Sequence, residues 1–401
     1  MNSGNLKDQR IYTIDLLRGI IMVIMALDHA RDFIHYDAFM HDPLDVQTTH
    51  LSLYLTRWVT HFCAPIFIFL SGLSIYLQGM RKSKSALSSF LFKRGMWLIF
   101  VELFVMGFLW SFQFSYPIFI LQVIWAIGIS MVFMAALIYL PYMVLLLIGS
   151  LIVCFHNALD GIDYTHHGFF WDLIHNGHFA FYPLGEGRNL MIVYPFVPWL
   201  GVMILGYCAG KLYAADVSND WRRKFLLLKG TGLILFFFVL RWLNIYGDPV
   251  PWADQPNPVE DFFSFFNVNK YPPSLLYLCI TIGPGLIFLS LMDSINYTEG
   301  KRKNWMHVFS IYGSVPFFYY ILHFYILHII ASILYFTRGH LWSEPITQPN
   351  GPPFAFSAPG EGYSLQTVYV VWILVVIALY PACKWFSQYR KRHSYWWLGY
   401  L

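Results

Sequence analysis

Charge is what this chain has least of. Only 12% of its 401 residues are Asp, Glu, Lys or Arg, and no stretch is polar enough to form the surface of a separate soluble domain. Cysteine is scarce too: the five present each stand alone inside an apolar run, with no CxxC spacing and no pairing in loops. That excludes a disulfide scaffold and leaves small buried side chains. The 26 Lys and Arg sit in short runs between apolar segments rather than on one folded face, which removes nucleic acid as a partner. Paired histidine boxes are missing, and His166 and His167 lie together in a loop without a second box, so no metal is expected.

What is there is apolar. Hydrophobic residues make up 57% of the chain and the mean hydropathy is +0.52. The reading is an all-α, polytopic integral membrane protein, one domain over 1–401, whose main partner is the lipid bilayer. Ten spans are predicted, at 12–35, 51–79, 95–113, 117–140, 142–157, 191–213, 225–246, 273–293, 308–337 and 366–387. Pro141 leaves so short a connection that the fourth and fifth could be one broken helix. The first apolar run has no small-residue cleavage site and reads as a retained span.

With both termini placed in the cytoplasm, 19 of the 26 Lys and Arg fall on the cytoplasmic side. Arg188, Lys270 and Arg338 fall outside, and Arg18, Arg31, Arg57 and Arg241 fall within spans. Three long outer loops, 158–190, 247–272 and 338–365, are rich in Pro, Gly and aromatics, as functional caps are.

Against this background LLRGIIMVIMALDHARDFIH, residues 16–35, is anomalous, because it crowds Asp28, His29, Arg31, Asp32 and His35 into one helical stretch. Asp28, Asp32 and His35 share a face, flanked by His29 and Arg31. Each ionisable group at mid-bilayer costs about 2.5–3.5 kcal/mol on insertion scales, so the cluster needs partners or a watery cavity. At about 1.5 Å per residue, Arg18 lies near the inner surface and His29 about 16 Å further out.

Other spans bring polar groups to similar depth. TRWVTHF supplies Arg57 and His61, YYILHFYILH supplies His323 and His328, LQVIWAIGI supplies Gln122, VYPFVPWLG supplies Tyr194, and NKYPPS sets Lys270 and Tyr271 at the outer mouth of the eighth span. A histidine beside a carboxylate suits general-base work, with His29 and Asp32 or Asp28 in those parts. Three alternatives stand beside it. One is a structural network in which Asp32 pairs with Arg31 or Arg57; one is a metal site on Asp28, Asp32 and His35; one is a proton-coupled transporter or flippase using the same cluster.

IDLLRGIIMVIMALDHARDFIH, TRWVTHFCAPIFIFLSG, LQVIWAIGI, NKYPPSLLY and VPFFYYILHFYILH, in that order, resemble the bacterial DUF1624 group. That group is related to the catalytic domain of heparan-alpha-glucosaminide N-acetyltransferase within the transmembrane acyltransferase superfamily. Arg18 and His29 also resemble the first-span arginine and histidine of the acyltransferase-3 branch. The resemblance implies an enzyme of the bacterial inner membrane that moves an acetyl or acyl group from cytosolic acetyl-CoA or another acyl-CoA to an amine or hydroxyl of a sugar or glycoconjugate at the outer face. It implies His29 as the base, oriented by Asp32 or Asp28, with His61 and His323 around the acyl carbonyl and Arg18 drawing CoA phosphates. Arg31, Arg57, Gln122, Tyr194, Lys270 and Tyr271 would line the substrate site. The chain departs from the heparan enzyme at His29, an asparagine there, and at His61, an aspartate there. The catalytic histidine of that relative falls near Met40, so His41 or His35 stands in for it only after a gap. The oligomeric state, with a homo-oligomer among the options, is left open.

Overall fold

The computed structural model describes residues 12–162, 168–293, 304–342, 344, 354–358 and 360–400; His166, His167 and the basic run 301–303 lie outside these. Helix α1 (Tyr12–Ile34) is followed by a loop and α2 (Leu51–Val59), which a 3-10 turn at Thr60–Phe62 joins to α3 (Cys63–Gly79). Ser83 caps α4 (Lys84–Phe100), which passes through a widened π turn at Val101–Met106 into α5 (Gly107–Ser111). Strand β1 (Ile118–Leu121) leads into α6 (Val123–Leu137), then α7 (Tyr142–Phe155), α8 (Gly168–Ile174), β2 (Ala180–Gly185) and β3 (Arg188–Ile192). The remainder is helical: α9 (Phe196–Gly210), α10 (Asn219–Leu243), α11 (Pro258–Phe266), α12 (Leu275–Asp293), α13 (Asn304–Ser314), α14 (Pro316–Thr337) and α15 (Leu365–Arg392).

Among the described residues, seven helical segments are long and apolar enough to cross a membrane. Three of the ten expected spans are not among them. Helix α1 is long enough but carries Asp15, Arg18, Asp28, Arg31 and Asp32; the 95–113 stretch is divided by the π turn; and α6 has 15 residues. The expected 117–140 span is overstated at its start, because residues 118–121 are a strand, and Met191 and Ile192 likewise belong to β3. The fold is thus mainly, not wholly, α. A three-stranded sheet, ordered β1-β3-β2, pairs β1 parallel to β3 and β2 antiparallel to it. The run IFIL is as apolar as a helix and too short to show a period, which hides the strand. The hairpin turns on Gly185 and Gly187, both at positive φ, where a side chain would be strained.

Between apolar helices in a bilayer, association relies on close van der Waals packing, so glycines mark the crossings. Gly19 of α1 lies against Gly313 of α13, where an added Cβ would come within 1.7 Å of the Phe309 carbonyl. Gly72 and Gly206 do the same between α3 and α9, and Gly230 and Gly283 between α10 and α12. Helices α13 and α14 form one path bent at Val315 and Pro316, and that path runs parallel to α1: Gly19 meets Gly313 and His29 meets His323, both at a separation of 294 residues.

Helix α3 runs the other way. Arg57 meets Asp28, Cys63 meets Ile21 and Ser74 meets Arg18. The chain reverses at Pro141, since α6 is antiparallel to α4, with Ser88 bonded to the Ala135 carbonyl, and α7 is antiparallel to α9, with Tyr142 at Cys208 and Ile152 at Gly201. These are two helices, not one broken one.

Candidate functional site

The anomalous part of α1 is built into a lattice of opposite charges. Arg57 donates to Asp28 at 2.7 Å, and Arg31 donates both to the other Asp28 oxygen at 3.1 Å and to Asp32 at 2.5 Å. The alternation of signs answers the cost of holding charge away from water, and it requires the 3-10 turn after α2 to bring Arg57 against α1. This lattice forms one wall of a cavity of about 150 Å³. Asp28, His29, Arg31, Asp32, Arg57, Gln122, Tyr194, Lys270 and Tyr271 all line it. The Tyr271 hydroxyl is addressed by Arg57, Tyr194 and Lys270 together.

His29 reaches the cavity from a different support than the sequence suggests. Its carboxylate neighbours are engaged by the arginines, and the imidazole instead lies parallel to that of His323, ring centroids 5.0 Å apart, with Nδ1 of His29 2.8 Å from Nε2 of His323. His323 is fully buried, and its Nδ1 lies 3.0 Å from the Tyr319 carbonyl. A carbonyl only accepts, so Nδ1 of His323 carries hydrogen and its Nε2 is a lone pair. His29 therefore donates through Nδ1 and presents the lone pair of Nε2, for which no partner is recorded among the described residues. That atom is placed to take a proton.

A second, larger cavity of about 390 Å³ opens at the Arg18 end of the bundle. Four cations line it, Arg18, Lys82, Arg94 and Arg390, and no carboxylate does. Arg18 also has a structural part: it donates to Asp15, to the Gly313 carbonyl and to Ser74, tying α1, α13 and α3 together. Arg94 donates to the Gly399 carbonyl, which brings the 396–399 turn to the lip. Deeper in, the walls are apolar, with Met22, Leu98, Ile127, Met131 and Phe317.

The two cavities share three wall residues, Met25, Phe67 and Val123. A layer of side chains thus separates a basic chamber from one holding His29 and the ion-pair lattice.

Two expected site residues are elsewhere. His61 is buried with its ring edge-on to Tyr277 at 5.3 Å, while the same turn presents Cys63 and Ala64 to the cavity. His35 is buried at the end of α1, accepting from the Asp37 amide. Helical spacing gave their depth, but not the direction each faces. The expected metal alternative has no support in geometry, since no group of three ligating side chains converges among the described residues.

The sequence reading missed the aromatic roof, Phe39, Trp110, Phe179 and Phe354, most of it from loops. His328 fixes part of that roof, with its two ring nitrogens at the carbonyls of Leu109 and Ala355. It also missed Lys82, Arg94 and Arg390 as wall residues. Lys270 and Tyr271 are set by Arg241, which donates to the carbonyls of Phe265, Val250, Ser264 and Asn267 and so stitches the 247–272 loop to the end of α10.

Residues 10–243, more than half of the chain, match the family described as heparan-alpha-glucosaminide N-acetyltransferase, catalytic. No curated protein matches the chain. The matched stretch carries Arg18, the ion-pair lattice, His29, Gln122 and Tyr194, and the chain beyond it adds Lys270, Tyr271 and His323.

Proposed function

Since the chain belongs to the heparan-alpha-glucosaminide N-acetyltransferase catalytic family, a family of transmembrane acetyltransferase type, we propose that it passes an acyl group through the membrane from a cytosolic acyl-CoA to an amine or hydroxyl of a sugar or glycoconjugate on the other side. The observation that carries this reading is the pair of chambers divided by Met25, Phe67 and Val123, one basic and one holding a histidine with an available lone pair. Each chamber suits one substrate.

Arg18, Lys82, Arg94 and Arg390 are a cationic wall of the kind that holds the phosphates of a nucleotide thioester. The excess of basic residues on that side of the chain sets it towards the cytoplasm, with both termini. The acyl tip then points along α1 towards His29, about 16 Å from Arg18 at 1.5 Å per residue. On the far side the acceptor meets Nε2 of His29. Its nitrogen or oxygen attacks the thioester carbonyl, the new C–N or C–O bond forms as C–S breaks, and the acceptor proton moves to His29 and from there to the leaving sulfur. His323 orients the base, and Lys270, Tyr271, Tyr194, Gln122 and Arg57 hold the acceptor. Asp28, Arg31 and Asp32 keep the wall charged yet neutralised.

Purified protein supplied with acyl-labelled acetyl-CoA should release free thiol and label an added amino sugar, and His29→Ala should bind CoA without turning it over. Retained turnover in His29→Ala would remove His29 as the base. Failure to bind CoA, together with proton-coupled uptake into liposomes, would replace the enzyme by a transporter.

A further inference from the structure

We propose that Met25, Phe67 and Val123 form an acyl-length gauge that limits the donor to an acetyl-sized group, an inference that rests on the acyl-CoA reading above. A donor whose phosphates are held at Arg18, Lys82, Arg94 and Arg390 has to send its acyl end first through the layer shared by the two cavities. Met25 and His29 are four residues apart on α1, about 6 Å at 1.5 Å per residue, so a carbonyl that reaches Nε2 of His29 has just cleared the gauge. Everything beyond that carbonyl then shares the far chamber with the acceptor, and that chamber, at about 150 Å³, is much smaller than the donor side at about 390 Å³.

The walls beyond the gauge do not suit a chain either. The lattice of Arg57, Asp28, Arg31 and Asp32 stands opposite, and laying methylenes on it would strip water from ion pairs while giving nothing polar in return. A longer acyl group is left with the gauge itself as its only apolar berth. Val123 is β-branched and opens α6, and Phe67 is a stiff ring within α3, so both resist displacement. Met25, with a flexible thioether, is the member able to move aside for a small group.

The balance of the transfer needs no further reactant. The acceptor loses a proton and gains the acyl group, the C–S bond breaks, and the thiolate takes the proton by way of His29.

The test measures thiol release from acetyl-, butyryl- and hexanoyl-CoA by the full chain, with glucosamine as a simple amino-sugar probe. A packed pocket discriminates about 10–200-fold per methylene, so wild type should prefer acetyl to butyryl by at least about tenfold, and Phe67→Ala should narrow that ratio to about threefold or less. Met25→Ala and Val123→Ala should move it the same way. CoA binding by calorimetry reports that each variant is folded, and Phe67→Leu takes the place of the alanine variant if that one does not bind. A flat chain-length profile in wild type, or an unchanged profile in variants that bind CoA, overturns the gauge alone. Absence of thiol release from every donor by wild type overturns the enzyme reading, and the gauge falls with it.

Discussion

Replacing His323 by phenylalanine keeps a ring of similar size stacked under His29 and removes the one acceptor for its Nδ1 hydrogen. The loss is largest when His29 has taken the acceptor proton, because the Nδ1–H then donates as an imidazolium to a neutral imidazole. A hydrogen bond from a charged group contributes about 1.5–3 kcal/mol. At 1.36 kcal/mol per decade this corresponds to a fall of about 10- to 150-fold in kcat. His323 does not line the basic cavity, so CoA affinity should stay near that of wild type. His323→Gln, whose amide oxygen can accept the same hydrogen, should recover part of the rate. Steady-state thiol release gives kcat and calorimetry gives donor affinity. A His323→Phe enzyme within twofold of wild type in kcat would refute the tautomer argument. A variant that loses CoA binding instead would show that His323 acts on the donor chamber.

Gly19→Ala or Gly313→Ala would drive a methyl group to within 1.7 or 1.8 Å of a helix carbonyl, and since overpacking costs about 1–3 kcal/mol even where side chains can yield, the unfolding temperature in detergent should drop by several degrees. An unchanged temperature would mean α1 and α13 are not in close contact. Arg241→Met strands four buried carbonyls at about 1–3 kcal/mol for each left unpaired, so hydrogen exchange in 250–270 should accelerate while α1 stays protected. Uniform acceleration, or none, would count against its role in holding the loop. His340 accepts the restraint of Glu361 and Glu344, each at 2.7 Å, and these carboxylates raise its pKa above the usual histidine value. A raised folded-state pKa stabilises below the unfolded value and is lost as pH rises through the folded one, so proteolysis near 338–344 should quicken as pH increases from acid to alkaline, and Glu361→Gln should bring that change to lower pH. A profile of the opposite slope would refute the assignment.

Depth was the part of the site most legible in the sequence. Charged residues cannot face lipid, and helical rise locates them along the bilayer normal, which is enough to gather Asp28, His29, Arg57, Gln122, Tyr194 and Lys270 at one level. Azimuth was not legible. His61 stands at the right height and faces Tyr277, while Arg57, one turn earlier, faces Asp28. The pairing of His29 with His323 rather than with an aspartate depends on α14 running parallel to α1, which no local pattern encodes. Arg94 and Arg390 were visible only as orientation signals, because a basic residue near an inner surface is the ordinary case. The roof of Phe39, Phe179 and Phe354 comes from loops whose path follows from tertiary contacts alone.

The layer of Met25, Phe67 and Val123 also has an electrical meaning. Where water enters a membrane protein from both sides, the transmembrane voltage falls mainly across whatever dry material remains between the two chambers, here a few apolar side chains. Moving a unit charge through the full drop involves about 2.3 kcal/mol per 100 mV. An acyl group is neutral, so it crosses that layer without electrical work, while the phosphates stay on one side and the ion-pair lattice on the other. Transfer through such a septum should therefore proceed at the same rate in energised and de-energised membranes.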